Sequence, residues 1–139
     1  LDQRDIPAIV LRGADNPLKD FGARKGDLVV AVDPRNGTAA AAIIGDVGDG
    51  DRIGEGSAAL NMTLLGVSGQ PETFTEALSL DTGSKAMAIA VLPGTRNFEV
   101  SRPITRESLE RRVGRWLDNN GYADFASLSA AIMECTAGL

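Results

Sequence analysis

The chain has 139 residues, with 14 Lys and Arg against 19 Asp and Glu, a formal net charge of −5, and 43% hydrophobic and 24% charged residues. That composition fits one globular domain around one core, and the acidic balance speaks against a phosphate-backbone partner. Histidine is absent, which excludes Ser-His-Asp and Cys-His nucleophile systems, histidine general bases and most zinc sites; chemistry must come from carboxylates, Lys, Tyr, hydroxyls or the backbone.

The first two thirds of the chain read as β-rich. Residues 6–12 (IPAIVLR) form a short apolar run with β-branched residues, closed by Gly13. Residues 13–24 carry Gly, Asn-Pro and Asp and read as a loop. Residues 26–33 (GDLVVAVD) read as a strand, and the Asn-Gly pair in 34–37 (PRNG) predicts a hairpin. Residues 38–45 (TAAAAIIG) are then the returning strand, whose small side chains point to close packing against another layer. Residues 46–54 read as a Gly- and Asp-rich loop, and 55–65 as a helix with 59, 60, 64 and 65 near one face. Residues 71–83 permit a short helix or an irregular excursion. Residues 85–92 (KAMAIAVL) predict a strand stopped by Pro93-Gly94, and 98–100 a possible extension of the sheet.

The last third is helical. Thr105 is a candidate N-cap for 106–119, with Leu109, Val113, Trp116 and Leu117 as the buried stripe. A second helix is expected over 123–135, with Phe125, Leu128, Ile132 and Met133 inward. Arg106, Arg111, Arg112 and Arg115 read as a solvated face partly paired with Glu107 and Glu110. Cys135, the one cysteine, can form neither an intramolecular disulfide nor a multi-thiolate metal site, and reads as a small buried hydrophobe. No apolar run approaches the ~18 residues that cross a bilayer, so no membrane partner is expected. The expectation is one domain over 1–139: a β-rich core over 1–100 carrying the acidic loop 46–55, and a helical hairpin over 101–139 packed on it.

The unusual segment is 43–60, IIGDVGDGDRIGEGSAAL. Asp46, Asp49, Asp51 and Glu55 are separated by Gly48, Gly50 and Gly54, with Gly56 following, so the loop can turn sharply and gather carboxylates round one cleft. Three readings are open on these residues alone. One is a surface loop whose Asp side chains cap turns. Another is a calcium loop, although the spacing does not match the EF-hand pattern. The third is a two-carboxylate hydrolase site, with one carboxylic acid protonating a leaving oxygen and one carboxylate activating water.

The run Ile43-x-Gly45-Asp46-x-Gly48, followed by Gly54-Glu55-Gly56-Ser57-x-x-Leu60, resembles the signature of glycoside hydrolase family 75, the fungal and bacterial chitosanases. The preceding 6–11 and 26–30 segments are similar in order, and the resemblance covers roughly 5–66; the absence of the fungal cysteines implies the bacterial type. It implies an inverting, endo-acting chitosanase with Asp46 and Glu55 as the essential carboxylates, Glu55 as acid and Asp46 as base or the reverse. Asp49, Asp51 and Ser57 are then substrate-binding candidates. It further implies a cationic polysaccharide or oligosaccharide as partner, no nucleic acid, no metal or other cofactor, a monomer, and a secreted or periplasmic location. By analogy, the fold is expected to be α+β, a small mixed six-stranded β-barrel resembling the double-psi type. A Glu55 at a helix N-terminus would be favoured in its ionised form, against what an acid needs. Few aromatic platforms are available for sugar rings, since Trp116 fits the helix stripe, which points to a short groove or electrostatic binding. Two other functions fit the same scaffold: a noncatalytic glycan- or partner-binding module, and a peptidoglycan-cleaving enzyme of the lytic transglycosylase kind.

Overall fold

The computed structural model describes residues 1–13, 15–48, 55–82, 86–96 and 103–138. Five strands, β1 (Ala8–Arg12), β2 (Leu28–Val32), β3 (Ala39–Gly48), β4 (Glu55–Gly56) and β5 (Ala88–Leu92), form one mixed sheet in the order β4-β1-β3-β2-β5. β1 runs parallel to β3, and the other pairs are antiparallel. The helices are α1 (Pro17–Asp20), α2 (Ala58–Leu65), α3 (Phe74–Ser79), α4 (Arg106–Asn119) and α5 (Phe125–Thr136).

Strand alternation divides the core in two. Leu28, Val30 and Val32 of β2, with Ala8, Ala41 and Ile43, pack against Leu109, Val113 and Leu117 of α4 and Leu128 and Ile132 of α5. Val29, Ala31, Ala40, Ala42, Ile9, Leu11 and Ile44 point the other way, onto Leu60 and Leu64 of α2. β2 is therefore buried along its whole length, which is why it reads as an unbroken apolar run. Each fully buried Leu or Val here contributes about 1.5–3 kcal/mol of apolar transfer. The alanines of β3 are divided between the two layers, Ala40 and Ala42 towards α2 and Ala41 towards α4 and α5.

The fold is α+β, as expected, but the expected barrel is not closed among the described residues. β4 and β5 stand at opposite edges of the sheet. A small barrel fills its interior with its own side chains from one face of the sheet; here each face buries itself against a separate helical layer. The helical hairpin expected over 101–139 is present as α4 and α5, packed on β2, β3 and β5. Thr105 caps α4, accepting from the Ser108 N–H, and Asp124 caps α5, accepting from the Ser127 N–H.

Other local expectations shift. The Asn16-Pro17 pair opens α1, because Asn16 caps the Leu18 N–H and Pro17 fits the first helical turn. β3 continues through Asp46 to Gly48, three residues beyond the expected strand end. The helix expected from 55 starts at Ala58, with Ser57 as its cap. The ambiguous 71–83 stretch contains α3, closed by a capping box between Thr73 and Glu76. The expected extension at 98–100 lies outside the described residues. Cys135 is exposed, not buried: the inward stripe of α5 runs through Leu128, Ile132 and half-buried Thr136, leaving position 135 beside it.

Arg112 also departs from the solvated face. It is buried, and its guanidinium donates to Thr95 O at 2.8 Å. Burial pushes it below the usual arginine value, the nearby Arg115 adds to this, and Asp27 opposes it. Asp27 is itself fully buried; its carboxylate accepts the Arg24 N–H at 2.8 Å and the Arg96 N–H at 3.0 Å. These bonds fix the turn that enters β2 and tie it to the turn that leaves β5. Asp27→Ala leaves the Arg24 and Arg96 N–H groups without their buried acceptor and removes the negative charge that acts on Arg112, so it should cost about 1–3 kcal/mol. Urea unfolding would show a lower midpoint at unchanged slope; an unchanged midpoint would contradict the clamp.

Candidate functional site

The site follows from one irregularity of pairing. β1 and β3 are in regular parallel register at Ala8↔Ile43 and Ile9↔Ile44, and the register then shifts, so that Val10 pairs with Asp46 and Gly45 has no partner of its own. Ile44 faces the α2 layer. Strict alternation would therefore return Asp46 to that apolar layer. The extra residue reverses the phase and brings Asp46 to the face that carries Ala8 and Val10. A Cβ on Gly45 would come within 3.1 Å of both Ala8 Cβ and Leu1 Cδ1, so any larger residue there requires these neighbours to shift by a few tenths of an ångström.

On its other side Val10 pairs antiparallel with Glu55 of β4. Residues directly opposite on neighbouring strands project to one face. Asp46, Val10 and Glu55 thus form a row across three strands, with the two acids flanking a valine. Two strand spacings set their Cα atoms roughly 9–10 Å apart. Asp46 and Glu55 both line an open cavity of about 280 Å³, together with Lys25, Gln3, Gly45 and Ser57. The helical hairpin lies over β2, β3 and β5, and on the β1–β4 side Val10 is half-buried while Asp46 and Glu55 are exposed.

Asp46 is not a free carboxylate. The Lys25 ammonium donates to its Oδ1 at 3.1 Å, and the Val47 N–H donates to the same oxygen at 2.9 Å. The Val47 N–H first, then Lys25, hold the Asp46 carboxyl below the usual carboxylate value. Lys25 carries no recognisable motif and was missed in the sequence. The signal that finds it is the hairpin register: the β2–β3 pairing runs from Val32↔Ala39 to Leu28↔Ile43, and the same register extended three residues further sets Lys25 opposite Asp46.

Glu55 is not at a helix N-terminus. It is paired in β4, and α2 begins three residues later behind its Ser57 cap. The helix dipole acts within the first turn, and Glu55 lies outside it. Ser57, expected at the substrate, is buried at the cavity floor and holds the scaffold. Its Oγ accepts the Ala8 N–H at 2.9 Å and the Leu60 N–H at 3.2 Å, and donates to Ile6 O at 2.9 Å. Asp49 and Asp51 lie outside the described residues.

Among the described residues, those lining the cavity include no aromatic ring. Trp116 and Tyr122 stack on each other with centroids 5.8 Å apart and pack against the core of the helical hairpin. A ligand here would be held by charge and hydrogen bonds. The chemistry on offer is two acidic residues on one face of the sheet, one of them paired with a cation. No family model matches this chain, and no curated protein shows significant similarity to it.

Loss of the Ser57 hydroxyl removes the α2 cap and orphans the buried Ala8 N–H. Ser57→Ala should therefore lower stability by about 1–2 kcal/mol in urea unfolding. A stability equal to wild type would mean that the hydroxyl serves something other than the scaffold.

Proposed function

We propose that the protein is an endo-acting, chitosanase-like glycoside hydrolase that cleaves β-1,4-glucosamine linkages with inversion. Asp46 is the general base and Glu55 the general acid. The observation that carries this is the pair of acidic residues, Asp46 and Glu55, that flank Val10 in the strand register and line one open cavity. Inverting glycosidases keep their carboxyl groups about 6.5–9.5 Å apart, leaving room for a water beneath the sugar ring. A Cα separation of roughly two strand spacings is compatible with that gap.

In this mechanism a sugar linkage lies across Val10. Glu55 delivers its proton to the leaving glycosidic oxygen as the bond to the anomeric carbon breaks. Asp46 takes a proton from the water that forms the new bond to that carbon on the opposite face. Asp46 is the base because its carboxyl is held ionised by the Val47 N–H and Lys25, whereas Glu55 has no cation paired with it among the salt bridges of the described residues. The acidic balance of the chain favours a cationic polymer such as chitosan over neutral chitin. The same chemistry is the reason to expect a protein working outside the cytoplasm on a polysaccharide.

Incubation of wild-type protein with chitosan should release reducing ends, and proton NMR at early times should show the α-anomer at the new ends. Asp46→Asn and Glu55→Gln should each cut the rate by roughly 10²–10⁴-fold. Retained activity in either variant contradicts the assigned pair. A wild type that binds chitosan saturably without cleaving it is a binding module, and an anhydro-sugar product from peptidoglycan identifies a transglycosylase.

A further inference from the structure

The cavity holds a third charged group besides the two acids. Lys25 sits on the turn entering β2, which is closed by the Asp27 N–H to Arg24 O at 3.0 Å and by the Asp27 carboxylate to the Arg24 N–H. Its backbone is thereby anchored to a fully buried side chain, although its own side chain is 60% exposed. The ammonium and the Val47 N–H converge on one oxygen of Asp46, Oδ1. Neither of them reaches Oδ2.

Among the described residues, four elements face Asp46. The turn before β2 presents Lys25, and β4 presents Glu55 beyond Val10. β1 presents the uncharged Val10 directly opposite, with Arg12 two residues along and paired with Gly48. The N-terminal segment presents Leu1 and Gln3. Lys25 is the cation whose charge acts on Asp46.

We infer that Lys25 is a positioning residue for Asp46: with the Val47 N–H it occupies Oδ1, fixes the rotation of the carboxylate, and leaves Oδ2 as the oxygen that accepts the proton of the attacking water. The inference rests on the glycosidase reading and adds to it. In the step it describes, a water O–H bond breaks and its proton goes to Asp46 Oδ2. The water oxygen bonds to the anomeric carbon, and the leaving oxygen departs with the proton of Glu55. Lys25 exchanges no proton and touches no reacting atom. Its effect is on the fraction of Asp46 that is ionised and on which oxygen is available.

The sign follows directly. Removing the ammonium raises the Asp46 carboxyl towards its ordinary value, so the acid limb of the rate profile moves to higher pH. The test uses Lys25→Met and Lys25→Gln as neutral variants and Lys25→Arg as the charge-keeping one, each checked for wild-type folding by circular dichroism. Two quantities are read: the carbon NMR titration of the Asp46 carboxyl, and the pH dependence of kcat/KM on chitosan. In the neutral variants Asp46 should titrate at higher pH, and activity within the acid limb should fall roughly twofold or more relative to the plateau. Lys25→Arg should restore both. Added salt should reduce the difference between wild type and the neutral variants, since the pair is exposed. An Asp46 titration unchanged in both neutral variants overturns the inference. The titration is read on inactive protein as well, so a wild type that releases no reducing ends overturns the glycosidase reading while the role of Lys25 is still decided.

Discussion

Everything at the candidate site hangs on a single unpaired residue in a parallel strand pair. Gly45 has no partner on β1, and Val10 meets Asp46 in its place. In regular pairing the acid after Ile44-Gly45 would be driven into the apolar layer beneath α2, where an unpaired carboxylate is expensive. The shift turns the strand's phase at the point where the chain changes from apolar to acidic. Its upstream half, Ala39–Ile44, continues to serve both cores, while its downstream half becomes the wall of an open cavity. Glycine permits this because its missing side chain leaves room for Ala8 and Leu1.

The rest of the scaffold brings other groups to that wall. β4 is only two residues long, too short to be held by its own pairing. It is followed at once by Ser57, whose single hydroxyl joins β1, the segment before β1 and the first turn of α2. Glu55 is therefore fixed from its C-terminal side by a buried cap. Lys25 is fixed by another buried side chain, Asp27, which links the turn entering β2 to the turn leaving β5. Exposed acids and an exposed lysine thus stand on backbone whose anchors are buried, which is how a surface site keeps its geometry.

Strong local patterns were legible in the sequence. The β2–β3 hairpin announced itself by two apolar runs around Asn36-Gly37, and the turn closes as expected with the Asp33 N–H to Thr38 O at 2.8 Å. α4 and α5 were readable from periodic apolar stripes, α4 behind its Thr105 cap, whereas the Asp124 cap of α5 was read as part of the helix. What was not legible depended on partners distant in sequence. The Gly- and Asp-rich run after Ile44 reads as loop, yet β1 supplies partners that extend β3 to Gly48. Glu55 reads as the start of a helix, yet Val10 draws it into a strand. Arg112 sits among arginines that face water and is buried because Thr95 O lies within its reach. Openness of the sheet was equally hidden: whether strands close on themselves or lie between helices depends on which helix covers which face. For the site, the acidic pair was visible as a motif; its shared face and its lysine were visible only through register.

Among the described side chains that line the cavity, the charged ones are Asp46, Glu55 and Lys25, and the Lys25 ammonium is paired with Asp46. That asymmetry separates two otherwise similar acids into a held carboxylate and an unpartnered one, the division of labour that inverting hydrolysis requires. The most direct measurement is a crystal structure of the Glu55→Gln protein with a glucosamine oligosaccharide. The account predicts a sugar linkage lying over Val10, its glycosidic oxygen within hydrogen-bond reach of residue 55 and a water between the anomeric carbon and Asp46 Oδ2. An oligosaccharide seated away from Val10, or one whose anomeric carbon has no water path to Asp46, would contradict it.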